Sequence, residues 1–97
     1  GGKMKEIIDR KLYDTDTANL IASDDYWDGR NTTRQGRNSY LYKTAKGNFF
    51  IHRVTHWQGE LDSITPLSKD EAMEIYESLP EKAMEYKEAF GFDPETA

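Results

Sequence analysis

The sequence predicts an α+β domain, a small antiparallel sheet of four or five strands followed by two helices packed on one of its faces. Strand-like segments rich in β-branched and aromatic residues recur between residues 5 and 65, two helix-like segments follow, and strands first with helices last is the order of a segregated α+β fold. A length of 97 residues fits one compact domain and hardly two. Aromatic residues at 12%, six of them tyrosine, supply enough burial to offset a charged fraction of 32% and argue for a folded chain. With no cysteine, its stability must come from a single hydrophobic core.

Gly1, Gly2 and Lys3 ahead of Met4 read as an expression remnant, leaving residues 4–92 as the domain. Residues 5–13 (KEIIDRKLY) read as an opening strand. The YDTDTA stretch at 13–18 is turn chemistry, because Asp14 and Asp16 can bond backbone two residues on and Thr15 and Thr17 do so more weakly. Residues 17–23 alternate imperfectly, with Ala18, Leu20 and Ala22 on one side and Asn19, Ile21 and Ser23 on the other, as a half-buried strand would. A short helix capped by Thr15 or Asp16 competes with it. Residues 24–38, with two glycines and little periodicity, read as a long loop.

The best-specified feature is a β-hairpin over residues 39–57, in which Lys46-Gly47 reverses the chain between two arms rich in tyrosine, phenylalanine, isoleucine and valine. A two-residue loop pairs Tyr42 with Ile51, Tyr40 with Arg53 and Leu41 with His52, whereas a three-residue loop with a bulge shifts every partner by one. Gln58-Gly59-Glu60 is a second turn, after which residues 62–65 can add a short strand that ends at Pro66. Ser68 and Glu71 form a capping box, with Leu67 as the staple and Ala72, Ile75, Tyr76 and Leu79 on the buried stripe of the helix. Pro80 ends this helix and can sit in the first turn of a second, whose core face carries Ala83, Tyr86 and Phe90, or Met84 on a neighbouring stripe, and whose stop is Gly91. Residues 93–97 read as a frayed tail.

Charge is divided unevenly along the chain. Residues 1–57 sum to +3 and residues 58–97 to −8. From Gly29 to Trp57 there is no carboxylate, while Arg30, Arg34, Arg37, Lys43, Lys46 and Arg53 all fall there. Either these cations pair with the acidic helices, or they form a face for an anionic or protein partner.

Catalytic and metal readings are weak. Asp24, Asp28 and Gly29 match three positions of a calcium loop, but Tyr26 and Gln35 occupy ligand positions. His52 and His56 would suit one metal on a helix, yet on a strand they stand about 13 Å apart. No serine sits in a nucleophile motif and Ser68 is used as a cap. No enzyme activity, cofactor or metal is expected. No apolar run approaches the roughly 20 residues needed to cross a bilayer, and the absence of cysteine suits a reducing compartment, so a cytoplasmic protein is expected.

The segments YDTDTA (13–18), LYKTAKGNFFIHR (41–53) and ITPLSKDEA (64–72), in that order, resemble a group of small uncharacterised bacterial proteins carried by plasmids, integrated elements and phages. The resemblance implies a bacterial accessory protein that binds rather than catalyses, and it transfers no residue roles.

The expected function is therefore a non-catalytic protein-binding module that uses the basic and aromatic stretch 29–57. Its expected contacts are Arg30, Arg34, Arg37, Lys43, Arg53 and Trp57, since Tyr, Trp and Arg anchor interfaces. Single-stranded nucleic acid is the alternative ligand for the same face. A second alternative is mimicry of nucleic acid by the glutamates of residues 68–90.

Overall fold

The computed structural model describes residues 4–24, 37–55 and 57–97, with Arg37 described by its backbone. The fold is α+β: a five-stranded antiparallel sheet, a separate two-stranded ribbon, and two C-terminal helices, the second short.

The opening segment is two strands rather than one, β1 (Lys5–Ile8) and β2 (Lys11–Asp14), paired from Lys5↔Asp14 to Ile8↔Lys11. Between them Asp9 (φ 54°) and Arg10 (φ 66°) form a two-residue reversal in which both residues are left-handed. This is the geometry of a type I′ turn, usually supplied by Asn-Gly or Asp-Gly, which is why the sequence gives so little sign of it. Arg10 pays for its Cβ in this conformation. Arg10→Gly should raise the unfolding free energy, read from the urea midpoint, by about 0.5–1 kcal/mol after the added freedom of the unfolded chain is subtracted. A lower midpoint would mean that the arginine side chain contributes more than its backbone costs.

Thr15 ties the ribbon to its start: its N–H and hydroxyl both donate to the Met4 carbonyl, and its hydroxyl accepts from the Met4 N–H. Asp14 makes the expected turn, with Oδ1 accepting from the Asp16 N–H at 2.9 Å and its carbonyl from the Ala18 N–H at 3.0 Å. Strand β3 (Asn19–Ser23) follows. A bulge between Leu20 and Ala22 interrupts its pairing, and Ile21 and Ala22 both join the helix-side core. The simple alternation expected for this strand therefore fails at Ile21.

Strands β4 (Arg37–Lys43) and β5 (Phe49–Thr55) form the predicted hairpin. The loop has three residues: Thr44 N–H bonds to Asn48 O at 2.8 Å, Gly47 N–H to Thr44 O at 2.9 Å, and Gly47 is left-handed (φ 86°). Partners are consequently Tyr42↔Phe50, Leu41↔Ile51 and Tyr40↔His52, one residue off the two-residue register. Because side chains alternate, the shift reassigns the faces. Leu41, Phe49 and Ile51 share one, and Tyr40, Tyr42, Phe50 and His52 the other.

Strand β6 (Ser63–Leu67) runs through Pro66, which an edge strand tolerates because it needs no donor on its outer side. Helix α1 (Lys69–Ser78) carries the full capping box: Glu71 N–H donates to Ser68 Oγ at 3.1 Å and Ser68 N–H to Glu71 Oε1 at 2.8 Å. The Ser68 amide in this box holds the Glu71 carboxyl below its ordinary range.

Pro80 does not open a second helix. Residues Glu81–Lys82 form β7, which pairs with β3 and completes the sheet order β6-β5-β4-β3-β7. The Ile21 carbonyl accepts from the N–H groups of Ala83 (2.8 Å) and Met84 (3.1 Å), so sheet-edge pairing takes over the backbone that helix periodicity had claimed. Ala83 is exposed as a result. Helix α2 is only Tyr86–Phe90, stopped by left-handed Gly91, and it buries Ala89 and Phe90.

Both faces of the sheet are used. The helices close one over Ile21, Leu41, Phe49, Ala72, Tyr76 and Phe90. On the opposite face the ribbon packs Tyr13, Met4 and Ile8 against Phe50, Tyr42 and Ile64. Among the described residues no helix is long and apolar enough to cross a membrane.

Candidate functional site

The β5–β6 connection is braced from within. Thr55 N–H donates to Asp62 Oδ1 (3.0 Å), the Thr55 hydroxyl to Glu60 Oε1 (2.6 Å), and Trp57 N–H back to Thr55 Oγ1 (3.1 Å). Glu60 N–H closes the turn on Trp57 O at 3.2 Å, with Gly59 left-handed (φ 88°) at the tip. The turn is thus closed by its own hydrogen bonds, while Trp57 is 52% and Leu61 90% exposed.

The Arg53 side chain, exposed on β5 beside this turn, makes no hydrogen bond or ion pair among the described residues. It stands between two clefts. One, of about 360 Å³, is lined by Arg53, Asn38, Thr55, Glu60 and Leu61. The other, of about 280 Å³, lies toward α1 and is lined by Arg53, Asp24, Ile51 and Ser78. Asp24 stitches together the two ends of the 24–38 stretch, its Oδ1 accepting from Ser39 N–H (2.8 Å) and Asn38 Nδ2 (3.3 Å).

The six expected contacts do not form one patch. Arg53 and Trp57 lie at the same end of the hairpin, and Arg37 begins β4 opposite Thr55 at that end. Lys43 lies at the other end, where its Nζ reaches the backbone carbonyl of Glu88 in α2 at 3.4 Å. Arg30 and Arg34 lie outside the described residues, as does His56. Near the Lys43 end a separate cleft of about 380 Å³ collects Arg10, Lys11 and Lys46 around Thr17 and Thr44, cations from two different turns that spacing along the chain does not connect. Leu61 is the interface candidate that the sequence reading passed over; its only signal was an isolated large aliphatic residue in a polar turn.

His52 is 2% exposed and its Nε2 has no hydrogen-bond partner. Burial pushes the imidazole below its ordinary value of 6.5, with Asp62 pulling the other way. Its ring lies 6.2 Å from that of Tyr40. Among the described residues no three His, Asp or Glu side chains gather as a metal-ligand set.

Comparison of the chain with models of protein families, with curated proteins and with solved structures found no match.

Proposed function

We propose that this chain is a small non-catalytic binding module of bacterial accessory type, and that it grips a protein partner with the β5–β6 end of the hairpin. Arg53 and Trp57, from the 29–57 stretch, and Leu61, four residues beyond it, are the central contacts. The observation that carries this reading is the exposure of Trp57 (52%) and Leu61 (90%) on one internally hydrogen-bonded turn. A large aromatic and an aliphatic side chain on a turn already closed by its own hydrogen bonds ask for little backbone ordering on binding, and an arginine beside them matches the composition of interface anchors. The accessory role and the cytoplasmic setting rest on the resemblance of segments 13–18, 41–53 and 64–72. Non-catalytic character is supported by local duties: Ser68 caps α1 and Asp14 forms its turn.

The test compares the wild-type chain with the double variant Trp57→Ala, Leu61→Asp as baits in a bacterial lysate, followed by affinity measurement on any protein retained by the wild type. Removal of the anchors should weaken the retained complex by about 2 kcal/mol or more, roughly thirtyfold. An unchanged set of partners and affinities would move the contact surface away from this turn. A fluorescent single strand titrated in parallel decides the nucleic-acid alternative, for which affinity must fall steeply between about 50 and about 200 mM salt.

A further inference from the structure

A second surface, independent of the β5–β6 turn, lies on the other side of the molecule's charge division. Between α1, β7, α2 and the tail is an open groove of about 740 Å³, lined by Met73, Tyr76, Tyr86 and Phe92, with Glu77 and Glu95 among its walls. Its rings stand nearly at right angles, Tyr76 to Tyr86 at 75° and Tyr86 to Phe92 at 84°. Such walls present π faces in several directions, and π faces attract cations.

The chain already places two ammonium groups on them. Lys82 Nζ lies 4.8 Å from the Tyr76 ring centroid and Lys69 Nζ 4.8 Å from that of Phe92. They differ in how firmly they are held. Lys82 also donates to the carbonyls of Tyr76 and Leu79 at the end of α1, so it is part of the scaffold. The Lys69 ammonium is exposed and makes no hydrogen bond among the described residues, which leaves its contact with Phe92 as a surface cation–π pair. A guanidinium is planar, less strongly hydrated than an ammonium, and stacks better on a ring. The elements that frame the groove, residues 69–97, carry 3 basic side chains, of which Lys82 lines the groove, against 9 acidic ones. Glu74, Glu77, Glu81, Glu85 and Glu88 are all exposed. That field repels polyanions and steers cationic chains toward the surface.

We propose that this groove docks an arginine- and lysine-rich segment of a partner protein, whose guanidinium displaces Lys69 from Phe92. Lys69 is then an internal competitor, and its removal should tighten binding.

The test uses fluorescein-labelled octa-arginine and the full chain, read by anisotropy at about 150 mM salt. Phe92→Ala should weaken binding by about threefold or more, the worth of one ring–cation contact. Lys69→Ala should bind more tightly than Lys11→Ala, which removes the same charge from the ribbon on the opposite face of the sheet. If Phe92→Ala binds like wild type, or if Lys69→Ala and Lys11→Ala are indistinguishable, attraction is diffuse and the groove is not a docking site.

Discussion

Replacing Phe50 by alanine should cost the domain about 3–5 kcal/mol, the range for emptying a buried aromatic site. Phe50 is fully buried near the start of β5, stacked on Tyr42 (5.1 Å, 11°) and met edge-on by Tyr13 (5.5 Å, 74°). Small domains have only about 5–15 kcal/mol to lose, so the variant should lie near the unfolding threshold. The loss should also be uneven. Phe50 belongs to the cluster that joins the β1–β2 ribbon to the sheet, whereas the helices pack on the opposite face. An isolated two-stranded ribbon is marginal in water. Amide exchange in Phe50→Ala should therefore rise first at residues 5–14, ahead of β4 and β5. Equal loss of protection throughout would show that ribbon and sheet unfold as one unit.

His52→Leu should stabilise the domain at neutral pH and by a larger margin in mild acid. In the folded chain Nε2 is buried without a partner, a state that costs about 1–3 kcal/mol and that leucine does not incur. The pH dependence follows from the lowered folded value. Below the unfolded imidazole's ordinary 6.5, the unfolded chain binds a proton that the folded chain resists, so wild-type stability falls as pH drops. The slope approaches about 1.4 kcal/mol per pH unit until the folded imidazole titrates. Urea midpoints of both proteins between about pH 7 and about pH 5 check this, above the range where most carboxylates titrate. Parallel pH profiles for wild type and His52→Leu would mean that His52 does not titrate differently on folding.

Much of the candidate surface was legible because exposure of an arginine or of a tryptophan in a turn needs little context. Arg53 and Trp57 lie where a hairpin end would place them. Lys43 belongs to the same acid-free stretch, but distance along a strand separates it from Arg53, and its ammonium meets an α2 carbonyl that no local pattern announces. The groove of Tyr76, Tyr86 and Phe92 was hidden for a related reason: helix periodicity assigns such aromatics to a core, and their perpendicular arrangement exists only once β7 has separated α1 from α2.

Local chemistry alone was enough for the turn at Asp14, the left-handed glycines 47 and 91, and the capping box of Ser68 and Glu71. Each depends on hydrogen bonds or steric limits spanning a few residues, so the neighbours along the chain are sufficient. The strand register, the bulge that turns Ile21 into the core, the reversal at Asp9-Arg10 and the conversion of residues 81–82 into a sheet edge were settled by tertiary structure. They depend on which distant backbone and which buried face are present: Ala83 meets the Ile21 carbonyl, a partner contributed by a strand on the far side of the sequence.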